Sequence, residues 1–171
     1  FIAEAVFRTV PISKLTTTTV AVFDDLTAAT KSLPALLDTG AATLELMDSA
    51  SIRVGQGFDK IPQAITGFDV DKQAALLIEY HADAEEELRE KEGKGSQLLR
   101  ELPLQSPAAF SADAASRNTA WSFRKGLYAQ VAEARPSGTT ALLEDIVVPV
   151  GDLADTCSSL QELFNRYGYD D

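Results

Sequence analysis

The sequence predicts an α+β fold, an antiparallel sheet covered by helices. Three observations carry this. Short runs rich in β-branched or aliphatic residues recur at 16–23, 42–47 and 73–81. Segments with apolar residues at helical spacing lie between and after them. Strands neighbour helices without the strict alternation that would build a parallel sheet.

Taken in order, residues 1–10 and 16–23 read as two β-like runs separated by Pro11-Ile12-Ser13-Lys14. They are either neighbouring strands, or the last strand of one domain and the first of the next. Asp24 and Asp25 are positioned to cap a helix at about 25–38, whose apolar positions Leu26, Ala29, Leu33, Leu36 and Leu37 precede Gly40; Pro34 makes a kink or early break an alternative. Ala42 to Met47 reads as a strand, and Ser51 to Phe58, after the start signal Asp48-Ser49-Ala50, as a short helix weakened by Gly55 and Gly57. Residues 59–72, with Pro62 and Gly67, read as loop or broken helix. Gln73 to His81 carries Ala-Ala-Leu-Leu-Ile, apolar on both sides and therefore central in its sheet, with His81 at its end in a structural or solvent-facing role.

Asp83 opens a charged helix with Glu85–Arg89 and Glu87–Lys91 at i,i+4, a solvated face, which Gly93-Lys94-Gly95 is expected to interrupt. That Gly-Lys sequence lacks the spacing of a phosphate-binding loop. After Leu98–Leu102 and a connection marked by Pro103 and Pro107, a long helix is predicted over 111–134, ended by Pro136 and Gly138. Thr140 to Val148 reads as a strand closed by Pro149, and 152–167 as a final helix with Asp152 and Asp155 at its start.

Composition narrows the function. The chain has 171 residues, 45% of them hydrophobic, which is enough for one domain or two small subdomains. Its net charge of -11 repels phosphate backbones and anionic headgroups, so nucleic acid is not an expected partner. No run approaches the roughly 18 apolar residues of a membrane span, and no signal-like segment opens the chain, so a cytoplasmic protein is expected. The opening Phe1, in place of Met, suggests a piece of a longer protein. One cysteine, Cys157, excludes an internal disulfide, and one histidine, His81, excludes a histidine metal site. Cys157 lies on the stripe Leu153, Cys157, Leu160, Phe164 and reads as a buried inert thiol. No catalytic residue and no metal ligand is assigned within the chain.

The helix at 111–134 carries two faces side by side. Ala120, Phe123, Leu127 and Val131 share an apolar arc, while Trp121, Arg124, Lys125 and Tyr128 share the adjacent one. Docking needs only the first arc. The plain reading of the second is that the aromatics cover the core edge and the cations reach water.

Ordered motifs point further. Trp121-Ser122-Phe123-Arg124-Lys125-Gly126-Leu127, then Arg135-Pro136-Ser137-Gly138-Thr139-Thr140, then Glu144-Asp145-Ile146-Val147-Val148-Pro149, resemble the C-terminal cap domain of FAD-linked oxidases, with the D-lactate and D-2-hydroxyacid dehydrogenases most similar. Phe1 to Pro11 resembles the strand leaving the FAD-binding domain, and Leu44-Glu45-Leu46-Met47-Asp48 a motif early in the cap. The resemblance implies a ferredoxin-like sheet. It implies residues 1–12 as the end of the FAD-binding domain or a linker strand, and 13–171 as a partial substrate-binding cap domain. It also implies oxidation of D-lactate or a related D-2-hydroxyacid, with FAD bound outside this chain and electrons passed to a further acceptor.

Arg124 matches the arginine implied to grip the substrate carboxylate, since a planar guanidinium can hold both oxygens. Lys125 and Tyr128 share its arc as substrate-binding candidates. Trp121, Glu144 and Asp145 are supporting residues, the acidic pair reading as a strand-end hydrogen-bonding pair that positions the Arg124 helix. Relatives acting on D-2-hydroxyglutarate carry a lysine where this chain has Leu143, which leaves recognition of a second carboxylate open. An iron–sulfur cluster or divalent metal would lie elsewhere in the full-length protein, as would any peripheral contact with the inner face of the membrane. The chain alone is expected to be inactive. The competing expectation is a stand-alone ferredoxin-like module that binds a small acid or a protein partner.

Overall fold

In the computed structural model, which describes residues 2–134, 136–139 and 146–169, the sheet is built around β3 (Ala74–Ala82). Its run from Ala74 to Tyr80 is buried throughout, as only a strand covered on both faces can be. β1 (Leu15–Phe23) and β2 (Thr43–Met47) flank it, both antiparallel to it, in the order β1-β3-β2. β1 and β2 therefore run parallel to each other and are joined by a crossover through α1 (Leu26–Asp38). Along the other edge of β1 lies the segment 104–111, held by bridges Phe23–Leu104 and Thr18–Ser111. Thr18 and Ser111 exchange two backbone hydrogen bonds of 2.9 Å. This segment occupies the fourth-strand position of a ferredoxin-like sheet.

Side-chain alternation divides the core in two. On one face Val20, Val22, Met47, Ala75 and Leu77 pack with Ile52 of α2 (Ser49–Gly55) and with Ala120, Phe123 and Leu127 of α4 (Ala114–Ala134). On the other, Ala21, Phe23, Leu76, Ile78 and Tyr80 pack with α1 and with Leu99 of α3 (Glu85–Glu101); Leu153 of α5 (Leu153–Arg166) joins the edge. Both faces are thus covered from within this chain.

Helix starts and stops follow local chemistry. Asp25 and Asp48 cap α1 and α2, accepting from the amides of Ala28 at 2.7 Å and Ser51 at 2.8 Å. Gly40, at φ 89°, ends α1 in a conformation open to glycine, and Pro34 is carried inside α1 without breaking it. Burial of Ala29, Leu33 and Leu36 holds this helix across the proline. Glu85–Arg89 at 3.5 Å and Glu87–Lys91 at 2.6 Å pair along α3 as the spacing predicts, with Glu90–Lys94 at 2.7 Å beside them.

Several expectations are corrected. Residues 2–10 are not a strand neighbouring β1 in this chain: Ile2, Val6, Phe7 and Val10 are exposed, and the outer edge of β1 is taken by 104–111. Gly93-Lys94-Gly95 does not interrupt α3. Gly95 is where the Tyr80 ring meets the helix backbone, so a contact with the sheet, and not a break, accounts for that glycine. Of the predicted strand 140–148, Thr140–Asp145 lie outside the described residues, and Ile146–Val148 have no regular structure. Asp152 makes no side-chain cap, since a short 3-10 turn, Val150–Asp152, leads into α5. Cys157 is half-buried and Phe164 is exposed, so the stripe of α5 is buried only towards its start.

Candidate functional site

A carboxylate in the middle of an apolar strand demands partners, and Glu79 of β3 has them on every side. Its side chain is 1% exposed. Oε2 accepts from Thr18 Oγ1 at 2.7 Å, Arg117 Nε at 2.7 Å and Trp121 Nε1 at 2.9 Å. Oε1 accepts from Arg117 Nη2 at 2.9 Å and from His81 Nε2 at 2.6 Å. Burial alone would raise its pKa, but the hydrogen bonds from Arg117, Trp121, His81 and Thr18 outweigh that and hold it at about 2. Glu79 is therefore ionised at neutral pH, and the same contact raises the Arg117 pKa. A fork-to-carboxylate contact is the strongest form of such a pair.

Elements from three parts of the chain converge here. Glu79 and His81 lie two residues apart on β3 and face α4 together. Arg117 and Trp121 lie one turn apart on α4, whose start is fixed by Asp113 accepting from the Ser116 amide at 2.7 Å. Thr18 reaches across from β1, in register opposite Glu79.

Beside this hub opens a cleft of about 490 Å³, lined by Thr43, Glu79, His81, Arg117, Asn118, Trp121, Ser122 and Lys125. The Lys125 ammonium stands over the Trp121 ring, 5.6 Å from its centroid. Arg117 and Lys125 against Glu79 leave the lining one positive charge, with His81 neutral, in a chain of net charge -11. A larger groove of about 770 Å³, which Thr18 also lines, carries small, hydroxyl and aliphatic side chains and Gln63, with no ionisable group. It offers shape but no acid, base or cation.

Of the sequence-predicted site residues, Trp121 and Lys125 enter the cleft, whereas Arg124 and Tyr128 are not in its lining. Arg124 turns to β2, where its Nε donates to Glu45 Oε2 at 3.0 Å. Tyr128 is exposed, and Glu144 and Asp145 lie outside the described residues. Glu79, Arg117 and the contact role of His81 were missed. The signal was present: a Glu following Ala-Ala-Leu-Leu-Ile is a charge inside a buried strand. Burial raises the Cys157 thiol, which disfavours a reactive thiolate.

A scan against family models matches residues 12–170 to FAD linked oxidases, C-terminal domain. The chain belongs to this family. No curated protein matches it. Family membership places the chain among flavin-dependent oxidoreductases, with FAD implied for the full protein. The described helix starts do not themselves suit a dinucleotide. A pyrophosphate needs free helix N-termini or cations, yet carboxylates sit at these starts: Asp25 on α1, Asp48 on α2, Glu85–Glu87 on α3, Asp113 on α4 and Asp155 on α5. No group of three or more His, Cys, Asp or Glu suited to a metal occurs among the described residues, and no described helix is long and apolar enough to cross a membrane.

Proposed function

We propose that this chain covers the substrate in a cytoplasmic flavin-dependent enzyme that oxidises D-lactate or a related D-2-hydroxyacid, with FAD held by another part of the full-length protein. The observation that carries the reading is the family match over 12–170, joined to the Trp121-to-Leu127 motif, whose Trp121 and Lys125 line a cleft. Arg124, Lys125 and Tyr128 are the substrate-binding residues, supported by Trp121, Glu144 and Asp145. Among the described residues Glu45 engages Arg124 through Nε, which leaves the terminal nitrogens of the guanidinium to a substrate carboxylate. The electron acceptor, and any iron–sulfur cluster or divalent metal, belong to parts of the protein outside this chain.

The test is made on the purified full-length protein, scored for flavin absorbance and for dye reduction with a panel of D- and L-2-hydroxyacids. Yellow protein reducing dye with D-isomers is the expected result. A colourless full-length protein, which the stand-alone binding module requires, or activity confined to L-isomers, overturns the reading.

A further inference from the structure

We propose that the cleft between β3 and α4 is itself a binding site for a small hydroxycarboxylate, in which the Lys125 ammonium takes the carboxylate and Nδ1 of His81 accepts a hydrogen bond from the hydroxyl. The inference deepens the proposed function and rests on it for the choice of ligand; Lys125 is common to both, His81 is added, and Arg124 is not in the lining of this cleft.

The assignment at His81 follows from Glu79. A carboxylate that stays ionised down to about pH 2 can only accept, so the Nε2 that lies 2.6 Å from Oε1 carries the hydrogen. In the neutral ring Nδ1 is then bare, a hydrogen-bond acceptor. The side chain is about a third exposed and lines the cleft, and with Nε2 spent on Glu79 its remaining polar atom is Nδ1. A carboxylate orienting an imidazole in this way fixes both tautomer and ring plane. The backbone carbonyl of His81 is bound in turn by Lys91 Nζ at 2.9 Å, which anchors the strand end that carries the ring.

The assignment at Lys125 follows from charge already consumed. Both oxygens of Glu79 and two nitrogens of Arg117 are spent on one another, so neither strongly repels nor attracts an incoming anion. Lys125 has no carboxylate partner among the described residues; its recorded contact is the face of Trp121, which positions an ammonium without neutralising it. Asn118 and Ser122, four residues apart on α4, supply further hydrogen-bonding groups along the same wall.

The test uses the 171-residue chain, in which described residues cover both faces of the sheet, and which contains one histidine. Long-range proton–nitrogen spectra therefore report His81 alone. In the neutral ring the Nε2–H tautomer should dominate. D-lactate should move the Nδ1 resonance saturably with roughly millimolar affinity, and propionate, which lacks the hydroxyl, should move it less. Lys125→Met, at an exposed position that leaves the fold intact, should weaken D-lactate binding about tenfold or more. A dominant Nδ1–H tautomer, an Nδ1 resonance unmoved by D-lactate, or unchanged binding by Lys125→Met each overturns the inference. If the full-length enzyme oxidises D-lactate while the chain shows none of these responses, the inference fails and the proposed function stands. If the chain responds and the full-length protein is inactive, the reverse holds.

Discussion

Removing Arg117 tests the hub most sharply. In Arg117→Ala the Glu79 carboxylate stays buried and keeps Thr18, Trp121 and His81 but loses its countercharge. Breaking a fully buried pair costs about 3–5 kcal/mol. The Arg117 side chain is 37% exposed, and the three remaining donors lower the cost, so the expected loss is about 2–3 kcal/mol. For a chain of this size that is roughly 5–10 °C in Tm. The pH dependence gives a second readout. In the parent the folded carboxyl lies below its ordinary 4.5, so its contribution is fully present above pH 4.5 and is lost as pH falls towards 2. Without Arg117 the folded value rises, and the difference in stability between parent and variant should shrink on acidification across that window. Comparing the two proteins cancels the exposed carboxylates that also titrate there. Urea unfolding at pH 7 and at steps down to pH 3 measures both effects. A loss under about 0.5 kcal/mol at pH 7, or a gap that widens with acid, refutes the reasoning.

In the full-length enzyme, Arg124→Ala should lower kcat/KM by about two to three powers of ten with flavin content unchanged, and Arg124→Lys should recover only part; steady-state kinetics within about threefold of the parent would remove Arg124 from the substrate. Gly95→Ala should destabilise by about 1–3 kcal/mol, because its Cβ would lie 2.7 Å from Tyr80 ring carbons, whereas Gly93→Ala on the open side of the same helix should stabilise by about 0.5–1 kcal/mol; paired urea midpoints check the opposite signs. The 171-residue chain should purify without flavin colour and stay colourless after incubation with FAD, since carboxylates occupy its helix starts, and an absorbance band of bound flavin would contradict this.

Much of the fold was legible because period decides it. The stripe Ala120, Phe123, Leu127 placed α4 on the sheet, and the aliphatic run of β3 named the central strand. Where tertiary pairing overrode local propensity, the reading failed. Residues 2–10 have strand-like composition but pair with no strand of this sheet, and Gly93-Lys94-Gly95 stays helical because the helix packs there on Tyr80. In the cleft, helical spacing found Trp121 and Lys125. It could not find Glu79–Arg117, whose partners stand 38 residues apart and on different elements.

The two carboxylates that α4 meets among the described residues also bear on how its cations should be tested. Glu79 on β3 takes Arg117 and Trp121, and Glu45 on the neighbouring β2 takes Arg124, so the helix is fixed to the sheet at successive turns by charged contacts from two strands. Its rotation decides that Lys125 meets the cleft while Arg124 meets the β2 edge. A substitution at Arg124 therefore removes an ion pair as well as any grip on a substrate. That pair is about one third exposed on each side, however, and such pairs contribute roughly 0.2–1 kcal/mol. A fall in kcat/KM of two powers of ten corresponds to about 2.7 kcal/mol. The stability term cannot reach that size, so a large kinetic effect with retained flavin would have to come from the substrate.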